Sequence, residues 1–478
     1  MKKVKLEYGD GQVEVSLPDS ADVFETGVTV KDPTALKDPV GATREAILHP
    51  IGEQPIAEQV HQGSKVVIIF PDRVKGGYGE FSHRKVTSKI VVEECLKAGV
   101  EKKDILFLCS NGLHRKNTPE EIKKILGDEI YNEFQGQILN HDSEDWDHLV
   151  DLGNEPKFGA KVVINKYVFD ADLAVMIGHV QGNPYGGYSG GYKHCATGIS
   201  NWECISSHHC PAVMHRPDFV PVSDHSLMRQ KFDAIGDWME KKMGKKFFSV
   251  DAVLDSSSNQ IAVFAGYAKE TEPLSWEIAD KRTYVKWAKK KYDVLVFGLP
   301  NDFQYGSRQG RNPILVEQAI AAQIIRLKRI TTEHPVIIAY AQCDGDFGDD
   351  EFPAMRPVYD YFNAHGNTLP EIEDYYKVMN RKEYFDAYRF HYAFHPYHAF
   401  SMISCAYIAE RDCQAVYIIG AQNPGCARAM GMKTRSSVEE ALKDAEKFVG
   451  KNPAILALPM TFKKPSVHLC MADQKEAE

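Results

Sequence analysis

The sequence predicts an α/β protein of two domains, each with a largely parallel sheet, and an active-site cleft between them. Three observations carry that expectation. At 478 residues the chain is too long for one compact core. Short apolar runs alternate with helical patterns, the rhythm of strand–helix–strand units. That rhythm occurs twice, from about residue 64 and from about residue 290, with a polar stretch at 268–290 between the two series. We therefore expect an N-terminal domain over 1–275 and a C-terminal domain over 276–478, the last segment free to pack back on the first.

The elements follow in order. Val4, Leu6, Val13, Val15 and Leu17 alternate around Gly9-Asp10-Gly11, which reads as a β-hairpin. KVVIIF (65–70) is a buried strand, and 82–100 has helical periodicity ending at Gly99. DILFLC (104–109) is the next strand, and Thr118-Pro119-Glu120-Glu121 opens a helix with a cap, a proline and a reciprocating glutamate. ADLAVMIG (171–178) is a third strand. In the second series the strands are 293–298, 335–343, AFSMISC (399–405), 415–420 and 454–459. A helix lies near 313–329, and another at 437–449 is opened by Ser437-x-x-Glu440.

Composition narrows the class. A formal charge of −9 with no long Lys/Arg block argues against a nucleic-acid partner. The N-terminus lacks a signal-peptide apolar run, and no apolar stretch approaches the roughly 18 residues of a membrane helix. Ten scattered cysteines without C-x-x-C point away from a disulfide framework and towards a cytoplasmic protein with reduced thiols.

In open α/β sheets, ligands bind beyond the carboxyl ends of strands. Three successive strand ends carry chemistry: Asp72, Arg73 and Lys75 after the first, His114 and Arg115 after the second, and GHVQGNPYGGYSGGYKHC after the third. The last is not a phosphate-binding G-x-x-x-x-G-K-[ST] loop, because Tyr192 separates Gly191 from Lys193 and His194 replaces the hydroxyl residue. His208 and His209 follow, as surface residues or as metal ligands. His391, His395 and His398 have helical spacing, but Pro396 interrupts it, which leaves substrate contact or packing. FPDRVKGGYG lacks the dinucleotide fingerprint, so a nicotinamide dehydrogenase is not supported.

NGLHRKNTPEE, NHDSEDWDHLVDLG (140–153), the Asp172-Leu173 strand followed by GGYSGGYK, and CDGDFG (343–348) resemble, in that order, the nickel-dependent lactate racemase family. The resemblance covers most of 40–460. It implies a nickel-pincer nucleotide, pyridinium-3,5-bisthiocarboxylic acid mononucleotide nickel, joined covalently to Lys193, with Ser189, Gly190 and Gly191 beside it. The nickel-binding histidine falls sixteen residues on at His209, with His208 as the fallback. One imidazole completing a square-planar nickel site agrees with the metal's preference.

The resemblance further implies proton-coupled hydride transfer at an alcohol carbon, with His114 as base. The family's second histidine, ten residues before the lysine, is Asn183 here, and His179 is the candidate substitute. The first-strand loop reads Asp72-x-x-Lys75 where the family has Asp-x-x-Arg, so the bidentate fork is lost. Tyr305, with Arg308 or Arg311, stands for the family's second-domain loop. With Arg115, His391 and His395 these residues suggest a pocket for a hydroxyl-rich substrate, a sugar acid or polyol ahead of another 2-hydroxy acid and of lactate.

The leading expectation is thus a racemase or epimerase. Asn183 favours a pincer-dependent alcohol or polyol dehydrogenase as the alternative, and a cofactor-free binding protein is a third reading. Implied partners are the cofactor's biosynthesis and insertion enzymes and a second copy in a homo-oligomer, with no nucleic acid and no membrane.

Overall fold

The computed structural model describes residues 1–215, 226–366, 368–464 and 467–472. The chain divides into two compact α/β units. One comprises Pro33–Arg282 and Phe385–Tyr397; the other comprises Met1–Asp32, Thr283–Tyr384 and His398–Glu478. Instead of one join near 275, the chain crosses between units at 32/33, 282/283, 384/385 and 397/398. Among the described residues no helix is long and apolar enough to cross a membrane.

The first unit is built on a six-stranded sheet in the order Gln260–Tyr267, Phe247–Leu254, Leu173–Val180, Val66–Phe70, Ile105–Cys109, Ile138–Asn140. All neighbours are parallel except the first pair. Strands buried on both faces read as near-continuous apolar runs, and Val66–Phe70 and Leu173–Val180 are buried at every position. From Val66–Phe70 the chain steps outward twice, then returns to lay Leu173–Val180 on the other side. The strand order therefore reverses at this pair, which is where open sheets bind ligands. The helix His83–Lys97 packs into a core that includes Ile68, Phe70, Ile90, Val91 and Phe107.

The second unit has a six-stranded, wholly parallel sheet in the order Lys433–Arg435, Ala415–Ile419, Thr331–Tyr340, Tyr292–Gly298, Ile455–Leu458, Asp22–Val23. The N-terminal hairpin Lys2–Tyr8/Gly11–Leu17 turns at Gly9, whose φ of 59° suits glycine. Val4, Leu6, Val15 and Leu17 join the core of this sheet with Val294 and Ile338, which is why the first 32 residues belong here.

One element differs in kind from its expectation. AFSMISC is not a strand but lies within the helix Pro396–Asp412. That helix is buried almost all round, so its apolar run carries no face periodicity and cannot be told from a buried strand. Pro396 starts the helix instead of interrupting one, and His391 and His395 precede it. The capping signals did form: the Thr118 box closes reciprocally through Glu121, and the Ser437 hydroxyl accepts from the Glu440 amide.

Candidate active site

The carboxyl ends of Val66–Phe70, Ile105–Cys109 and Leu173–Val180 bring their loops together in the first unit. Asp72 is 3% exposed, and its Oδ2 lies 2.6 Å from His114 Nδ1. Burial alone would raise this carboxyl; His114, then Lys75 and Arg73, outweigh burial and hold it below the ordinary range. An ionised Asp72 only accepts, so Nδ1–H of His114 is the donor of this pair. The Asp72 loop is pinned by Arg84, which donates to the carbonyls of Asp72 (2.7 Å), Gly77 (3.0 Å) and Pro71 (3.2 Å). Arg84 was not singled out from sequence, since one arginine at a helix start gives no signal.

Lys193 sits in the first turn of the helix Tyr192–Gly198. Its ammonium makes no hydrogen bond or ion pair among the described residues. Burial, then the charges of Lys75 and Arg229, bring its amine down to about 7. Lys75 is likewise lowered by burial, opposed by the Asp72 charge. His179, at the end of its strand, is held well below its usual value by burial and by Lys75, Arg84, His83 and Lys193, so it is a neutral imidazole. Two lysines and a neutral histidine without a paired counter-anion make an anion-accepting site.

The glycines of the Lys193 loop answer to the protein itself. Gly190 and Gly191 have φ of 80° and 53°. A Cβ at Gly190 would stand 2.7 Å from Asp251 Oδ1, and one at Gly191 would overlap the Glu272 carboxylate. These acids grip the loop: Gly191 N–H donates to Asp251 (3.2 Å) and Tyr192 N–H to Glu272 (2.9 Å). Glu272 is paired with the buried Arg229, whose guanidinium also meets the Gly190 carbonyl at 3.3 Å. An aspartate inside the apolar strand FFSVDAVL was the available signal for Asp251. Ser189 Oγ donates to the His179 carbonyl at 2.9 Å, tying the two candidates together. Asn183 Oδ1 accepts from the amides of Tyr185 (3.0 Å) and Gly186 (2.9 Å), so it shapes a turn.

His208 and His209 can be distinguished by their hydrogen bonds. His208 Nε2 faces the Ala196 carbonyl at 3.3 Å and so carries a proton. In neutral His208 the Nδ1 is then bare and accepts from His209 Nδ1, 2.6 Å away. His209 Nδ1 is thereby the donor of the pair, the arrangement of an imidazole oriented through one ring nitrogen. No group of three or more metal-binding side chains occurs among the described residues.

Most of the remaining candidates are paired within the protein. Arg115 forks onto Glu121 at 2.7 and 2.9 Å. His395 contacts Glu144 at 2.8 Å and accepts from the Tyr397 amide at 3.0 Å, filling both ring nitrogens. His391 is exposed. In the second unit Arg311 pairs with Asp344 (2.7 Å) and Asp346 (2.8 Å), and Arg308 with Asp346 (3.1 Å). The CDGDFG motif thus supplies their counter-charges, while Tyr305 lies edge-on to His398, ring centres 4.9 Å apart. The NHD motif is also scaffold: His141 bridges Asn165 and the Ser200 carbonyl, and Asp142 holds Lys116 at 2.8 Å.

The chain is similar to several known proteins. Residues 8–219 match the lactate racemase N-terminal domain family. The chain is 24% identical over 281 residues to a lactate racemase of Thermoanaerobacterium thermosaccharolyticum, covering 56% of this chain and 60% of that protein. It is 27% identical over 223 residues to a lactate racemase of Lactiplantibacillus plantarum, covering 46% and 48%. The matches thus span about half the length of these curated relatives. The fold resembles that of the lactate racemase apoprotein from T. thermosaccharolyticum, with a TM-score of 0.70 at 21% identity over 98% of this chain and 100% of that one. It also resembles a crystal structure of a Thermotoga maritima protein, with a TM-score of 0.58 at 14% identity over 92% and 99%.

Proposed function

We propose that this chain belongs to the lactate racemase family and is a racemase or epimerase acting at the alcohol carbon of a compact 2-hydroxy acid. The observation that carries the reading is Lys193: a sheltered, unpaired lysine with its amine near 7, on the same sheet edge as the Asp72–His114 pair.

The residues fit the group that the resemblance implies. An amine half-deprotonated at neutral pH is a competent nucleophile for acyl attachment. Lys75 offers charge to an anionic group, and His209 offers a lone pair already oriented by His208. When bound at Lys193, a nickel-pincer nucleotide would supply the two-electron acceptor that no side chain provides.

The chain's own residues account for the proton. His114 Nε2 takes the hydroxyl proton, and Asp72, hydrogen-bonded at Nδ1, orients the ring and stabilises the imidazolium. Lys75 meets the substrate carboxylate as a point charge. His179, neutral in its cationic surroundings, is the acceptor for the opposite enantiomer, a role that Asn183 cannot fill. The substrate preference shifts from the sequence expectation of a sugar acid or polyol. Arg115, Arg308, Arg311 and His395 are each committed to a carboxylate, so they no longer argue for a hydroxyl-rich pocket.

The test is intact mass and nickel content of protein made alongside the cofactor's biosynthetic enzymes, followed by chiral assay of a 2-hydroxy acid panel. A nucleotide-sized adduct on Lys193 and interconversion of enantiomers are expected. An active Lys193→Ala variant with normal nickel content would sink the assignment.

A further inference from the structure

The matched family domain ends at residue 219, yet the unit that carries the candidate site is completed by thirteen residues from far downstream, Phe385–Tyr397. Their contacts concentrate on two places. Tyr388 Oη donates to the Gly112 carbonyl at 2.8 Å and accepts from the Ser143 amide at 3.0 Å, so its one proton has a fixed direction. The next carbonyl, Leu113, accepts from the His395 amide at 3.0 Å. The two peptide oxygens immediately before His114 are thus both held by this segment. The Phe394 ring centre lies 5.7 Å from the His114 imidazole. Gly112 N–H donates to Gly198 at 3.0 Å, the end of the helix that begins beside Lys193, so the peptide is gripped on both sides. At the other place, Tyr397 Oη donates to the His209 carbonyl at 3.1 Å.

We propose that Tyr388 and Tyr397 are positioning residues, through which the segment Phe385–Tyr397 orients His114 and His209. Each acts on a histidine through that histidine's own backbone or its immediate neighbours. Packing alone does not demand them. A buried phenylalanine would fill the same space, whereas a tyrosine hydroxyl at full burial is retained only where its hydrogen bonds are made. Charge fastens the same segment, with Arg389 on Asp142 (3.3 Å) and Asp145 (3.2 Å), so Tyr→Phe changes should leave it docked.

The inference rests on the roles proposed for His114 and His209, so its test has an arm that needs no reaction. In the apoprotein, the His114 and His209 side-chain ring resonances are compared by ¹H–¹⁵N NMR at one fixed pH for wild type, Tyr388→Phe and Tyr397→Phe. Tyr388→Phe is expected to shift the His114 ring resonances and spare those of His209; Tyr397→Phe should do the reverse. In the loaded enzyme, Tyr388→Phe should lower kcat about tenfold with KM nearly unchanged, and Tyr397→Phe should weaken nickel retention about tenfold, as losses of supporting hydrogen bonds do. Thermal midpoints are the control, and Phe394→Leu is the second variant should Tyr388→Phe fail to fold. Unchanged ring resonances in both tyrosine variants, or losses that merely follow the thermal midpoint, overturn the proposal. If wild type carries no nickel group while the ring resonances still move, the functional reading falls and the positioning role stands.

Discussion

An amine at about 7 makes Lys193 the most reactive lysine expected in the apoprotein, and the size of the effect can be worked out. At pH 7 about half of such amines are unprotonated, against about one in three thousand for an ordinary lysine at 10.5, an advantage of roughly 1,600-fold. Lower basicity also weakens the nucleophile. With a Brønsted slope of about 0.45, the thiol value carried over to amines, that loss is about fortyfold, leaving a net gain of about fortyfold. The assay is brief acetylation of apoprotein with an N-hydroxysuccinimide ester across pH 5.5–10, with each lysine quantified by peptide mass spectrometry. Lys193 should lead the chain below pH 8, with an inflection near 7, and Lys75→Met should raise that inflection because it removes a neighbouring cation. A Lys193 rate matching that of exposed lysines at pH 7, or an inflection above 9, would refute the electrostatic reading of the site.

Three further outcomes are expected. Asp72→Asn should lower kcat about a hundredfold with little change in KM, because His114 loses the carboxylate that fixes its tautomer; equal kcat in steady-state assays would count against the dyad. Lys193→Met should stabilise the apoprotein most below pH 7, with the benefit fading as pH rises from 7 towards 10. The sign follows from proton counts: the unfolded lysine binds a proton throughout that window while the folded one does not, so wild-type stability itself rises with pH there, as thermal melts at several pH values would show. Arg115→Ala should cost about 1–3 kcal/mol in denaturant unfolding, since it frees one side of the Thr118–Glu121 cap, and should leave KM within about twofold; a large KM rise would restore Arg115 to the substrate.

The parts of the fold legible in the sequence were those with local causes. Buried parallel strands announce themselves as apolar runs, and the Thr118 and Ser437 caps as short polar spacings, because both depend on residues a few positions apart. Pro396–Asp412 was misread because a helix buried all round has lost the face that would reveal its period. The candidate site divided along the same line. Asp72, His114 and Lys193 could be nominated from strand ends, but pairing could not. Nothing local says that Arg311 is met by Asp344, that Arg115 is spent on Glu121, or that Gly191 is small for the sake of Glu272, eighty-one positions on. Tyr388 and Tyr397 act across more than 180 residues of sequence, beyond any spacing argument.

The interleaving of the two units has a consequence for how the chain is made. On a ribosome the strand Asp22–Val23 emerges more than 400 residues before its partner Ile455–Leu458. The Gly112–His114 turn and His209 likewise wait for Phe385–Tyr397. At about 5–20 residues per second, the early segments spend tens of seconds without their final neighbours. The first unit's strands are all translated by Tyr267, though the unit waits for Phe385–Tyr397 to complete it; the second sheet cannot close until Ile455–Leu458 emerges, and pairings of such long reach fold slowly. Trigger-type chaperoning and expression temperature should therefore govern soluble yield more strongly here than for a protein whose domains are cut from consecutive sequence.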